Sequence, residues 1–233
     1  MRNALARSPV RIFERATGGG LGRGHLGVVL GRPGSGKTAF LVGLALDALL
    51  HGRKVLHIST QESVERLSDF YAQIFSALGE RLGLEDRLEK LLEAERHRQI
   101  LVYNRKLFTL EKLEQSVAFL RQAADFAPSF MILDGTPRFE MTERWEVDGI
   151  LRLAREWDAE VWTATHTHRE GQALDARGVP SEVARYEDAL ALIVMLESRE
   201  DHVRVRVLKD HDRPEVPQLQ LELDPHALLL RWV

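Results

Sequence analysis

Apolar residues along the chain fall into two rhythms, short continuous runs and longer stretches at helical spacing, and the two alternate. Leu26, Val28, Val29 and Leu30 read as a buried strand, and a helical run follows from Ala39 to about Leu50. Residues 54–59 make a second strand. From Val64 to about His97 the spacing is helical, predicting two helices broken near Gly79 to Gly83. Residues 99–103 form a third strand. Thr109 supplies a capping hydroxyl to a helix that ends near Phe126, before Pro128. Phe130 to Leu133 is a fourth strand closed by Asp134, Glu143 to Trp157 a helix, and Glu160 to Thr165 a fifth strand. Such alternation predicts an α/β fold with a mostly parallel sheet flanked by helices on both faces.

The pattern then changes. Ala189 to Leu196, Val203 to Leu208, Gln218 to Leu223 and Ala227 to Trp232 read as short strands, with a polar turn over 197–201. These predict C-terminal antiparallel strands joined to the parallel sheet. No repeat or linker divides the chain, so one domain is expected over 17–233. Residues 1–16, with Arg2, Arg7, Arg11 and Arg15, are read as an N-terminal arm, either a short helix or a disordered tail.

Composition narrows the function classes. The chain has 233 residues, 44% hydrophobic, and a formal net charge of −3, which is ordinary for a soluble globular domain. No global basic field advertises nucleic acid. Cysteine is absent, which excludes disulfides, thiolate metal sites and a cysteine nucleophile and fits a cytoplasmic location. No apolar run is long enough to span a membrane.

The chemistry concentrates in Gly31-Arg32-Pro33-Gly34-Ser35-Gly36-Lys37-Thr38, which satisfies G-x-x-x-x-G-K-[ST] at every fixed position. It lies between a predicted strand and a predicted helix, as a phosphate-binding loop requires. Glycines let backbone N–H groups turn inward toward phosphate oxygens, and the helix N-terminus adds partial positive charge. Lys37 offers a cation to the outer phosphates and Thr38 a hydroxyl to Mg2+. Asp134, at the end of an apolar strand, is the expected carboxylate of the metal's shell. The cofactors implied are ATP and Mg2+.

Around that loop the sequence resembles the RecA/DnaB/KaiC group of ATPases. The likeness runs from Gly18-Gly19-Gly20-Leu21-Gly22-Arg23-Gly24 through the loop and into Ser59-Thr60-Gln61-Glu62-Ser63. It continues in the Asp134 strand, in Val161 to Arg169, and in Tyr186 to Leu192 with Val207 to Arg213. It covers roughly Thr17 to the end. The resemblance implies a RecA-like P-loop NTPase fold and a homo-oligomer, a hexameric ring or a filament, with ATP between subunits. It also implies an ATP-driven act on single-stranded DNA or on a protein partner.

Several positions depart from the family pattern. Where the family usually has a glutamate that prepares the attacking water, matching places Gln61, which can hold a water but cannot take its proton. Glu62 is adjacent. It is either the base or a solvated carboxylate at a helix start, and neighbouring residues of an extended segment should point to opposite sides. Slow hydrolysis is the expected consequence. His166 falls at the family's phosphate-sensing position. As alternatives it is ordinary polar packing, or one half of a His166-x-His168 metal pair. Lys209 matches a cation that reaches the neighbouring subunit's site. The expected arginine is replaced by His211, leaving Arg213 as a shifted finger or a solvent-exposed hairpin charge.

In the resemblance, loops 135–144 and 169–185 would face DNA. Arg169, Arg177 and Arg185 could pair with phosphates, and Phe139 and Trp145 could stack on bases. Glu170, Asp175 and Glu182 interrupt the basic groups, so a protein-contacting loop is an equal reading. Two functions follow. One is a RecA/DnaB-like ATPase core, a helicase or accessory motor, acting on single-stranded DNA in replication or recombination. The other is a KaiC-like nucleotide-gated assembly or signalling ATPase with slow turnover and a protein partner.

Overall fold

The computed structural model describes residues 8–167 and 173–232. Nine strands form one sheet: β1 Leu26–Gly31, β2 Val55–Ser59, β3 Arg98–Val102, β4 Phe130–Asp134, β5 Glu160–His166, β6 Leu192–Ser198, β7 Val203–Asp210, β8 Leu221–Leu223 and β9 Leu230–Trp232. Their order across the sheet is β3-β2-β4-β5-β1-β6-β7-β8-β9. The strands from β3 to β6 run parallel, and from β6 onward each neighbour is antiparallel. The helices are α1 Pro9–Ala16, α2 Lys37–Leu50, α3 Val64–Leu82, α4 Arg87–Arg96, α5 Leu110–Ala123, α6 Arg144–Glu156 and the single turn α7 Ser181–Ala184. The architecture is α/β, a mostly parallel mixed sheet flanked by helices, and it is compatible with a RecA-like fold.

The strands of the parallel half are apolar at successive positions because both sheet faces are covered. Along β1, Leu26, Val28 and Leu30 point into the layer under α5 and α6, whereas Val29 points into the layer under α1 to α4. Gly27 shares the second face. A Cβ there would come within 2.9 Å of the Trp162 ring, so the missing side chain leaves room for this buried indole beside β1.

Helix α1 belongs to this packing. Ser8 caps it, its Oγ accepting from Arg11 N (3.3 Å) and donating to Asp47 Oδ1 of α2 (2.8 Å). Arg11 also pairs with Asp47, at 2.7 Å. The fully buried Phe13 meets Phe40 edge-on, with ring centres 5.7 Å apart. Burying a ring of that size contributes about 2–3 kcal/mol, enough to dock a two-turn helix that would not persist alone.

The helical break falls inside the expected Gly79–Gly83 span: Gly83 takes the left-handed conformation (φ 59°) and ends α3 with N–H bonds to Glu80 O and Gly79 O. Several strand ends differ from the expectation. Strand β6 begins at Leu192, since Glu187–Ala189 is wound into a 3-10 turn.

Candidate functional site

The carboxyl ends of β1, β2, β4 and β5 bring most of the sequence-selected residues together. Gly31 lies level with His166, and Asp134 with Ser59 and Ala164. Ligands of open parallel sheets gather at this edge. Here a cavity of about 320 Å³ is lined by Gly34, Gly36, Lys37, Thr38, Gln61, Glu62, Asp134 and His166.

The loop leaves β1 at Gly31 and turns tightly, with Ser35 N donating to Arg32 O at 3.1 Å. Gly34 and Gly36 both hold positive φ, 77° and 83°, a conformation that a side chain would strain. Gly36 is also the residue from which α2 starts. Arg32, Pro33 and Gly34 are exposed, while Ser35 is buried with its hydroxyl unpaired. A Cβ on Gly31 would stand 2.3 Å from that hydroxyl. The closeness explains why the motif's first position must be glycine.

Lys37 is buried and turns back into the loop, donating to Gly31 O (2.9 Å) and Arg32 O (2.8 Å). Burial lowers its pKa to about 8, opposed by the Asp134 charge. Thr38 Oγ1 donates to Asp134 Oδ2 at 3.2 Å. Burial pushes the Asp134 carboxyl up, the Thr38 hydrogen bond opposes this, and the Glu62 charge adds to it. A buried ammonium and a hydroxyl–carboxylate pair line one space, and an unpaired buried hydroxyl lies within the loop beside Gly31. That donor set fits an anionic, oxygen-rich ligand accompanied by a hard cation, which prefers oxygen ligands.

Gln61 and Glu62 were expected on opposite sides of an extended segment, but both line the cavity. The cause is Ser59: its Oγ accepts from Gln61 N (3.1 Å) and Glu62 N (2.9 Å) and curls the chain beyond β2. Gln61 lies over Gly135, where a Cβ would sit 2.5 Å from its side chain. The cavity is completed by residues the sequence reading did not select, among them Arg66, Phe70 and Leu228. Glu62, Arg66 and Phe70 recur every fourth residue, and that spacing was the available signal. Leu228 had none, because it arrives from the β8–β9 turn.

His166, at the tip of β5, is exposed and lines the same cavity. His168 and Arg169 lie outside the described residues.

Lys209 and Arg213 are elsewhere. Strand β7 runs antiparallel to β6, pairing Asp210 with Leu192, so its end lies at the opposite edge of the sheet from Gly31. Lys209 Nζ donates to Glu187 O (2.7 Å) and Leu190 O (2.6 Å). Arg213 pairs with the fully buried Asp210 at 3.0 Å, and His211 Nδ1 lies 2.8 Å from the other oxygen of that carboxylate.

The two loops also differ from expectation. Phe139 is fully buried against Tyr186 (ring centres 5.6 Å apart), so it is a core residue and cannot stack on a base. Trp145 is exposed. Arg177 pairs with Asp175 (2.6 Å) and with Glu187 (2.5 Å). Arg185 donates to Phe139 O and lies 4.8 Å from the Tyr186 ring centre.

These features define an α/β protein with its candidate site at the carboxyl edge of a mostly parallel sheet. Over 118 residues the chain is 31% identical to the DNA repair protein RadA of Aquifex aeolicus (strain VF5). That stretch is 48% of this chain and 26% of the relative, so the chain matches about a quarter of that protein's length. The likeness supports a relationship at the level of the RecA superfamily and no finer. No family model matches the chain. Among the described residues, no helix is long and apolar enough to cross a membrane.

Proposed function

We propose that this chain binds ATP with Mg2+ at the Gly31–Thr38 loop and hydrolyses it slowly, as the core of a RecA-type assembly. The observation that carries the reading is the meeting of Lys37, Thr38, Asp134 and the unpaired Ser35 hydroxyl at one strand edge. Thr38 and Asp134 would hold Mg2+, which when bound supplies positive charge to the phosphate oxygens. Lys37 exchanges its loop carbonyls for phosphate oxygens and neutralises them. His166 donates to the terminal phosphate. Gln61 positions the attacking water, and Glu62, on the same wall, accepts its proton as the phosphorus–oxygen bond to the leaving diphosphate breaks. Lys209 and Arg213, at the far edge of the sheet, serve a neighbouring copy's site in a ring or filament.

DNA is the target that the name of the relative, a DNA repair protein, supports, and single-stranded DNA is the form proposed here. A second reading, nucleotide-gated assembly on a protein partner, draws on the paired loop cations: Arg177 is already neutralised by Asp175 and Glu187. ATP turnover measured with and without single-stranded DNA, beside a mass measurement with and without ATP, tests both. Turnover stimulated by DNA supports the first. ATP-dependent assembly with turnover indifferent to DNA, and no DNA retained at low salt, supports the second. Absence of nucleotide binding overturns both.

A further inference from the structure

Arg66 stands in the candidate site without an assigned part. It occupies the first turn of α3, four residues beyond Glu62 and four before Phe70, and all three line the cavity that also holds Lys37, Thr38 and Asp134. Its Nε lies 3.0 Å from Glu62 Oε2. The Arg66 side chain is 67% exposed and that of Glu62 26%. An ion pair this open is weak and exchanges readily for a better partner.

The charges of the cavity set the direction of that exchange. Among these lining residues, Lys37 and Arg66 are the cations, and Asp134 and Glu62 the anions. A triphosphate entering with one divalent cation still carries net negative charge, and its terminal phosphate would lie toward Glu62. A carboxylate there repels it unless a cation intervenes. Lys37, fixed near the loop carbonyls, is a point charge. Arg66 offers a planar fork on a mobile stem, suited to phosphate oxygens.

We infer that Arg66 is a triphosphate-selecting residue of this chain's own site, held by Glu62 in the free protein and transferred to the terminal phosphate when a nucleoside triphosphate binds. A diphosphate lacks the oxygens that would draw it away, so with a diphosphate Arg66 stays on Glu62. The same transfer releases the Glu62 carboxylate, which links recognition of the third phosphate to the freeing of the candidate base. This inference rests on the nucleotide-site reading above. It adds a discrimination made within one subunit, independent of any cation from a neighbour.

The test is equilibrium binding of a non-hydrolysable ATP analogue and of ADP, each with Mg2+, to the full chain and to Arg66→Ala and Arg66→Lys. Because Arg66 is exposed, neither variant should disturb folding, and thermal denaturation checks this. Arg66→Ala should weaken the triphosphate analogue about tenfold to a hundredfold, the range of a charge-assisted hydrogen bond, and change ADP by less than about twofold. Arg66→Lys should recover part of the loss. Equal weakening of both nucleotides, or no change in either, overturns the inference while leaving the nucleotide site standing. Failure of the unmodified protein to bind either nucleotide overturns the site itself and this inference with it.

Discussion

The two edges of the sheet carry similar residue types in different surroundings. At the carboxyl edge of the parallel strands, Ser35 is buried without a partner and Lys37 is buried with a depressed pKa. Asp134 there faces the Glu62 charge as well as the Thr38 hydroxyl. At the other edge, Lys209 is satisfied by two carbonyls, and Asp210 by Arg213 and His211. Lys37 is likewise held by two carbonyls, so the first edge differs in the burial and lowered pKa of its lysine and in the unpaired Ser35 hydroxyl. A folded chain tolerates buried polar strain where a ligand relieves it, so the contrast favours the carboxyl edge as the candidate site within one subunit.

The sharpest way to break this contrast is to remove one lysine from each edge. Lys37→Ala should lower nucleotide affinity at least a hundredfold, whereas Lys209→Ala should leave single-site affinity within about twofold, by titration calorimetry. Equal losses would dissolve the distinction. Next in size, Thr38→Ala or Asp134→Asn should reduce the gain in affinity that Mg2+ gives by about tenfold or more, read by repeating the titration with and without Mg2+. At the far edge, Arg213→Ala removes one of two partners from a buried carboxylate. It should destabilise the nucleotide-free protein by about 1–2 kcal/mol, seen in chemical denaturation, with no change in single-site binding.

The pH dependence sharpens the comparison further. Lys37 is an ammonium below about pH 8 and loses its proton as the pH rises through that value. Affinity for an anionic ligand should therefore be flat below pH 8 and fall above it, with proton uptake on binding. For the unliganded fold the sign is reversed. The unfolded lysine keeps its proton to about 10.5, so this group's contribution to stability rises with pH between about 8 and 10.5. The smallest expected effect is Gln61→Glu, which should raise steady-state turnover a few-fold if Gln61 positions the water. No gain would leave the proton to Glu62 alone.

Much of the architecture was legible because strands buried on both faces are nearly continuous in apolar residues, as in Met131, Ile132 and Leu133. Helices such as Leu110–Ala123 carry their caps in sequence, here Thr109. The loop was legible because its glycines and Lys37 answer local backbone demands. The opposite pointing of Gln61 and Glu62 misled, since an alternation rule fails where one hydroxyl, Ser59 Oγ, accepts two successive N–H groups. Phe139 misled for another reason: an aromatic in a loop looks available until Tyr186, far along the chain, covers it. Arg66 and Leu228 went unread because their relevance depends on how α3 and the β8–β9 turn pack against the loop.

That turn has a practical meaning. A Cβ on Gly36 would come within 2.4 Å of Leu223 Cδ2, and Leu228 lines the cavity, so the β8–β9 hairpin packs directly against the loop. Trp232 stands half-exposed on that same hairpin. Its indole is therefore a built-in optical reporter: with Trp145, Trp157 and the buried Trp162 replaced by phenylalanine, the colour and quenching of Trp232 emission give a label-free view of the hairpin when nucleotide is added.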